Sequence, residues 1–204
     1  MTSPAILPAA DDRRAQLESE GWRVVATSFG AQLTLDASDH DRLRSIASAV
    51  DDDLTLRQLS ASDVAAAMAL DVDTIDDYPG GPATRHELMS REEASPSVRR
   101  RAFGAFDEHG HLVAMTYLEI DGATVETDFT VVSSSWRRRG VGSALKAASV
   151  LSLATEGHAV FRTGGSADNE GIIRADERVG YVRDEEWVTL EAPAGRQGHD
   201  ASEA

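Results

Sequence analysis

The chain of 204 residues contains no cysteine. Disulfide bonds, thiolate nucleophiles and zinc sites with cysteine ligands are therefore excluded. The sequence also lacks an apolar run of the roughly 20 residues that a membrane-spanning helix needs. Its first ten residues have neither the basic start nor the long apolar centre of a signal peptide. We therefore expect a cytoplasmic protein with no membrane partner.

Positive charge is scarce: 20 lysine and arginine residues stand against 35 aspartate and glutamate residues, and the formal net charge is -15. A general nucleic-acid surface needs an excess of clustered basic residues, so no nucleic-acid partner is expected. The negative field would attract a cationic small molecule or a peptide amine, but acidity that only keeps the protein soluble explains the charge equally well. The 41% of hydrophobic residues are sufficient for a sizeable core.

The stretch 54–191 combines strand-like and helix-like patterns, which predicts a mixed α/β fold. Residues 54–59 alternate in polarity as a half-buried strand does, and Ser60 or Ser62 can cap the helix that follows. A loop rich in proline and glycine then separates this helix from a second one, predicted over residues 84–93.

Three apolar runs in the middle of the chain are separated by short turn sequences and predict an antiparallel meander. They cover residues 101–106, 111–119 and 123–132. A helical pattern begins at residue 141, and a strand at 159–163 follows it. A last helix is predicted before the closing strands. Asp168 or Asn169 can cap its start, and Gly180 ends it.

The six residues 137–142 read Arg-Arg-Arg-Gly-Val-Gly and lie between a predicted strand and a predicted helix. A glycine-rich turn in this position can surround an anion with backbone N–H groups, and the helix dipole adds a favourable potential. Gly140 and Gly142 allow close approach of the backbone, and the arginines add positive charge. The alternative is a basic helix start that binds nothing. Neither the Walker nor the Rossmann glycine pattern fits these residues.

This turn resembles the signature of the GCN5-related N-acetyltransferase superfamily, which Arg137, Gly140 and Gly142 match. Asn169, followed eleven residues later by Gly180 and a tyrosine, is similar to a second motif of that superfamily. The resemblance implies the superfamily's fold, a mainly antiparallel, splayed sheet with helices on both faces. It also implies that acetyl-CoA is the donor substrate of an N-acetyltransferase.

The resemblance further implies which residues hold acetyl-CoA. The strand before the turn would pair with the pantetheine arm, the turn would hold the pyrophosphate, and Asn169 would hydrogen-bond the pantetheine. The implied donor-binding residues are Thr130, Val131, Val132, Arg137, Arg138, Arg139, Gly140, Val141, Gly142, Ser143 and Asn169. No metal is expected, and the histidines, His86 among them, are interpreted as exposed polar groups.

Direct transfer from a thioester to an amine needs a group that accepts a proton. Glu126, which strand alternation places on the same face as Asp128 and Val132, matches the general base of the histone-acetylating members. A merely solvent-facing carboxylate is the alternative. The N–H of Val132 is expected to polarise the oxyanion. The usual acid, a tyrosine, is replaced by Asp176, which either donates a proton or makes a structural hydrogen bond, and water is the remaining proton source for the thiolate.

The acceptor is predicted to be a primary amine, and an acidic region after the first helix favours a cationic one such as a polyamine, an aminoglycoside or a peptide amine. A solvated loop explains the same residues, which are Asp71, Asp73, Asp76, Asp77, Tyr78 and Glu87. Two readings of other classes stay open. One is an acyl-CoA-binding module without catalysis, and the other is an interaction domain without a ligand.

Three segments are predicted: an extension at 1–50, the acetyltransferase domain at 51–192 and a disordered tail at 193–204. The extension repeats an order of helix end, glycine, aromatic residue and strand that recurs at 178–182, which suggests the remnant of a preceding domain or a coincidence. Its strand at 22–35 either extends the sheet or makes a homodimer contact.

Overall fold

A computed structural model describes residues 3–77 and 81–193 of the chain. The strands are β1 (Ala5–Pro8), β2 (Arg23–Thr34), β3 (Thr55–Gln58), β4 (Arg100–Phe106), β5 (Leu112–Asp121), β6 (Thr124–Val132), β7 (Val160–Ser166) and β8 (Val182–Glu191). The helices are α1 (Arg13–Ser19), α2 (Asp39–Ala47), α3 (Val64–Thr74), α4 (Val141–Ala154) and α5 (Glu170–Val179). Tyr78 and, except for Pro193, the predicted tail lie outside the described residues.

One sheet contains all eight strands in the order β1-β8-β2-β7-β6-β5-β4-β3. Every neighbouring pair is antiparallel except β6 and β7, which are parallel. Helices α2, α4 and α5 pack on one face of the sheet and share one apolar cluster. Helix α3 packs on the other face over a second apolar cluster. The predicted fold class is therefore confirmed, as is the meander of β4, β5 and β6. Among the described residues, no helix is long and apolar enough to cross a membrane.

The start of α3 shows why a serine stands at this point of the sequence. Ser60, the first of the two candidate caps, forms a capping box with Asp63 around a short 3₁₀ turn that leads into α3. Arg57 on β3 donates hydrogen bonds of 2.9 and 2.7 Å to the Asp63 carboxylate. These bonds hold the pKa of Asp63 well below its usual range.

We expect Asp63→Asn to lower the free energy of unfolding at pH 7 by about 1 kcal/mol, the usual contribution of a helix cap. Because the folded-state pKa of Asp63 is depressed, its contribution is complete above the ordinary carboxyl pKa of 3.8 and is lost as pH falls below it. The difference between wild type and variant in urea unfolding should therefore shrink at pH 2.5. Arg57→Gln removes the bonds that depress the pKa of Asp63 and should lose a stability contribution with the same dependence on pH. An equal difference between wild type and Asp63→Asn at both pH values contradicts the assignment.

The second predicted helix, over 84–93, is wrong. The structure has a 3₁₀ turn at Pro82–Thr84 and an irregular chain up to β4. A tertiary contact competes with a helix here, because the Asp71 carboxylate of α3 accepts the Met89 N–H at 2.8 Å.

The predicted alternation along β6 is also wrong at one point. Residues 124–127 and 129–132 pair with β5 in two separate registers, so Asp128 is an extra residue that forms a bulge. The bulge reverses the alternation. Glu126 therefore lies on the α3 face of the sheet with Phe129, while Val132 lies on the opposite, α4 face.

Residues 3–50 contribute two strands to this same sheet. β1 pairs with β8 at the edge, and β2 lies between β7 and β8, antiparallel to both. The strand predicted at 22–35 was expected either to extend the sheet or to make a homodimer contact, and the structure shows that it is part of the sheet. The origin of this segment as the remnant of another domain stays a prediction.

Candidate active site between two diverging strands

The parallel strands β6 and β7 are paired only at their beginnings. The paired residues are Thr124 with Val160, Val125 with Phe161, and Glu126 with Arg162. Beyond this point the strands separate, and two cavities of about 580 and 430 Å³ open at the divergence. Both are lined by Thr130, Asn169 and Ile172, so they adjoin each other. A molecule in one can therefore meet a molecule in the other.

We call the larger cavity the donor cavity, because most of the residues that the sequence predicts to bind the donor line it. It is bounded by the end of β6, the turn that follows, the start of α4 and one side of α5. Of the residues predicted to bind the donor, all but Arg139 line it: Thr130, Val131, Val132, Arg137, Arg138, Gly140, Val141, Gly142, Ser143 and Asn169. The side chain of Arg139 instead pairs with Asp51 and lies 4.2 Å from the centre of the Trp136 ring.

The turn before α4 has the geometry of an anion site. Gly140 has a φ of 81°, a left-handed conformation, and no side chain caps the helix that begins after it. The helical hydrogen bonds start at Ala144, whose N–H donates to the Gly140 carbonyl at 3.0 Å. The N–H groups of Val141, Gly142 and Ser143 therefore have no partner within the helix. All three residues line the donor cavity, where the helix dipole favours negative charge.

Four arginines line the donor cavity of this acidic protein, of which Arg137 is paired with Asp77 and Arg174 with Glu170. Arg138 of the turn is exposed, and Arg174 and Arg178 project from α5. The Arg178 guanidinium passes close to the turn, since a Cβ added to Gly140 would lie 3.5 Å from it. The two α5 arginines were not among the predicted residues. Their spacing of four on a strongly amphipathic helix is the signal that could have indicated them.

The open edge of β6 faces the same cavity. Ser133 donates its N–H to the Val113 carbonyl of β5 at 2.8 Å, and backbone groups alternate in direction along an antiparallel pair. The N–H groups of Thr130 and Val132 are therefore directed away from β5, towards the divergence. The Val132 carbonyl on this side accepts a hydrogen bond of 2.8 Å from Arg137. Asn169 caps α5 by accepting the Ile172 N–H at 3.1 Å.

The smaller cavity, which we call the acceptor cavity, lies where β6 and β7 begin to separate. The first 50 residues form part of its wall through Ile6, Ser28 and Phe29. Glu126 and Asp128 also line it. Both carboxylates are exposed, and Asp128 is paired with Arg100 at 2.8 Å. Within residues 3–77 and 81–193, no three acidic or histidine side chains are grouped as a metal site requires.

A buried carboxylate and a histidine meet beside this cavity. Asp71 on α3 is 1% exposed. Its Oδ2 accepts the Met89 N–H, and its Oδ1 is 2.6 Å from the Nε2 of His86. The His86 ring lies 4.5 Å from the Phe129 ring and lines the acceptor cavity together with Glu126. The interpretation of His86 as an exposed polar group is therefore wrong. No local pattern relates it to Asp71, 15 residues earlier.

Asp176, one of the two predicted catalytic residues, is buried and lines neither cavity. It accepts a hydrogen bond from the Nζ of Lys146, which also donates to the Thr163 hydroxyl at 2.9 Å. Burial raises the pKa of the Asp176 carboxyl, and the nearby lysine opposes that shift. Lys146 itself lines the acceptor cavity. The signal that could have indicated it is simple: it is the only lysine in the chain and lies in an apolar helix.

The acidic region that favoured a cationic acceptor is distributed differently from expectation. Asp71 is engaged with His86, and Asp77 pairs with Arg137 at the donor cavity. Asp73, Asp76 and Glu87 line neither cavity. The carboxylates that face the acceptor cavity are Glu126 and Asp128.

Solved structures with this architecture are numerous. A GCN5-related N-acetyltransferase from Sphaerobacter thermophilus has a TM-score of 0.69 and 18% identity over 92% of this chain, which spans 58% of that protein. A GCN5-related N-acetyltransferase from Kribbella flavida has a TM-score of 0.62 and 18% identity, covering 95% of this chain and 69% of that one. A tandem protein of the same superfamily from the clavulanic acid biosynthesis pathway has a TM-score of 0.61 and 20% identity, covering 94% and 63%.

No protein-family model and no curated protein matches the sequence. The structural likenesses show that the chain has the fold of the GCN5-related N-acetyltransferases. The resemblance indicated by the two sequence motifs is thereby confirmed at the level of the fold.

Proposed function

We propose that the protein is an N-acetyltransferase that moves an acetyl group from acetyl-CoA directly to a primary amine. The observation that carries this proposal is the meeting of the two cavities at Thr130 and Asn169, where β6 and β7 diverge. One cavity offers an uncapped helix N-terminus and arginines for a pyrophosphate. The other offers a carboxylate beside the place where an acyl group from the donor would arrive.

The donor would lie along the open edge of β6. Its pantetheine amides can pair with the backbone of Thr130 and Val132, and its pyrophosphate can accept hydrogen bonds from the N–H groups of residues 141–143. The thioester then lies where the cavities adjoin. Either Thr130 or Val132 presents an N–H in the direction that would stabilise the oxyanion.

In the proposed reaction Glu126 accepts a proton from the acceptor amine as its nitrogen attacks the thioester carbonyl. The C–N bond forms, the C–S bond breaks, and the electron pair of that bond passes to sulfur. Glu126 suits this role because the bulge at Asp128 directs it to the acceptor cavity.

A cationic acceptor remains our proposal for the substrate, and Glu126 supports it, since Asp128 is already paired with Arg100. A panel of polyamines, aminoglycosides and peptide amines, compared with neutral and anionic amines of similar size, tests it through thiol release. Higher kcat/KM for the cationic amines is expected. The idea fails if neutral or anionic amines react faster.

A second function, an acyl-CoA-binding module without turnover, is favoured by one observation: Asp176 stands where the superfamily has a tyrosine and is held by Lys146. Both functions predict that acetyl-CoA raises the melting temperature, because a ligand that binds only the folded state stabilises it. Thiol release with the amine panel separates them, since only the enzyme releases CoA faster than buffer. Absence of any thermal shift would contradict both functions. The remaining hypothesis would then be an interaction domain that binds no ligand.

We expect Arg178→Glu to weaken acetyl-CoA binding by about tenfold, because each favourable charge contact to a phosphate contributes on the order of 1–2 kcal/mol. Isothermal titration calorimetry measures the dissociation constant. Arg91→Glu changes the net charge equally in a loop that lines neither cavity and is the matched control. If the two variants bind alike, the α5 arginines do not belong to the donor site.

A further inference from the structure

The single lysine of the chain, Lys146, is buried in the middle of α4 and is 1% exposed. A buried ammonium group is costly unless charge and hydrogen bonds compensate it. Here Asp176 supplies the opposite charge, Thr163 accepts a second hydrogen bond, and the Tyr181 ring centre lies 5.3 Å away. The ammonium is therefore fixed in one place by groups from β7, α5 and the segment after α5.

That place lies beneath the gap between the diverging strands. Val125 on β6 and Phe161 on β7 both pack in the cluster on the α4 side of the sheet. Alternation puts Thr127 and Thr163, two residues further along each strand, on the same side. Both threonines line the acceptor cavity and stand just beyond the last paired residues. Lys146, bonded to Thr163, thus approaches the divergence from the α4 face, opposite to Glu126.

The position of Asp176 strengthens this placement. The superfamily's usual proton donor would project from this position of α5, and here a carboxylate directs its bond to Lys146 instead. The Oδ2 atom of Asp176 is buried and has no hydrogen-bond partner among the described residues. The Asp176 side chain therefore has Lys146 as its hydrogen-bond partner, through Oδ1, among the described residues.

We propose that Lys146 is the catalytic acid that protonates the departing thiolate of CoA and that Asp176 is the residue that positions it. This inference rests on the proposed acetyl transfer. As the C–S bond breaks, its electron pair stays on sulfur, and the sulfur takes a proton from the Lys146 ammonium to give the CoA thiol and a neutral amine. The proton that Glu126 removes from the acceptor returns through water to Lys146, so the charges balance after each turnover.

The test uses a donor that does not need the acid. We expect the double variant Lys146→Met/Asp176→Leu, which removes both charges together, to lower kcat with acetyl-CoA by about 100-fold. Its rate with p-nitrophenyl acetate should change by less than about threefold, because nitrophenolate leaves without a proton. The proposal is overturned if the double variant loses the same factor in rate with both donors, or if its turnover of acetyl-CoA equals that of wild type.

A spectroscopic measurement tests the inference apart from turnover. A protein labelled with ¹⁵N-lysine gives one side-chain signal, since the chain has one lysine. We expect this signal to move on addition of CoA and not on addition of desulfo-CoA, which lacks only the sulfur. Equal responses to the two ligands would overturn the placement of Lys146. If wild type releases no thiol with any amine, the proposed acetyl transfer is refuted instead. The difference between the Lys146 signals with CoA and with desulfo-CoA would still report whether Lys146 lies near the sulfur.

Discussion

Lys146→Met alone should destabilise the protein by about 3–5 kcal/mol, the usual cost of leaving one partner of a buried ion pair without the other. Asp176 would keep a buried carboxylate with one oxygen already without a partner among the described residues. Its pKa, already raised by burial, would lose the opposing effect of the lysine. Urea unfolding at pH 7, followed by circular dichroism, measures the loss.

The double variant Lys146→Met/Asp176→Leu is the control for this prediction. Replacing both members of a buried ion pair by apolar residues of similar volume is often neutral or stabilising. We therefore expect the double variant to unfold within about 1 kcal/mol of wild type. If it is as unstable as Lys146→Met, the loss comes from packing and not from the uncompensated charge. Recovery of stability without recovery of turnover would show that the pair is kept for a reason other than folding.

The donor half of the candidate site could be predicted from sequence because its signals are local. Gly140 and Gly142 mark the turn within six residues, and Asn169 and Gly180 mark the two ends of α5. Gly140 and Gly180 have a left-handed φ and Asn169 caps a helix, and few residue types satisfy such backbone requirements. The hairpin of β4 and β5 was predictable for the same reason.

The acceptor half depends on residues far apart in the chain, which a local pattern does not reveal. Asp71 and His86 are separated by 15 positions, and Lys146 and Asp176 by 30. The insertion of β2 between β7 and β8 likewise joins distant segments, such as the paired residues Ser28 and Ser166, and makes Phe29 part of the cavity. Periodicity assigned β2 as a strand but could not assign its neighbours.

The bulge at Asp128 changes the chemistry as well as the geometry. Without an extra residue, strand alternation would place Glu126 on the α4 face with Val132, on the side from which Lys146 approaches. With it, the base and the acid of the proposed reaction lie on opposite faces of the sheet. In the tetrahedral intermediate the acceptor nitrogen and the departing sulfur are separate substituents of the same carbon, so a base and an acid that reach it from different faces suit direct transfer.

The largest kinetic effect is expected for the base. Glu126→Gln should lower kcat by about 10²–10⁴-fold, the usual range for losing a general base. It should leave the dissociation constant of acetyl-CoA within about twofold, because Glu126 does not line the donor cavity. Stopped-flow thiol release and calorimetry measure the two quantities. Glu108→Gln, an equal change in the exposed β4–β5 turn, is the control.

His86 is the residue that could replace Glu126 in this role, since Asp71 holds it at the same cavity. We expect His86→Gln to reduce kcat by less than about tenfold, because the carboxylate of Glu126 would still accept the proton. If His86→Gln is the more damaging variant and Asp71→Asn shares its effect, the pair is the base and Glu126 only shapes the cavity. That outcome would move proton acceptance from β6 to the loop after α3, and it would leave the role of Lys146 at the departing sulfur unchanged.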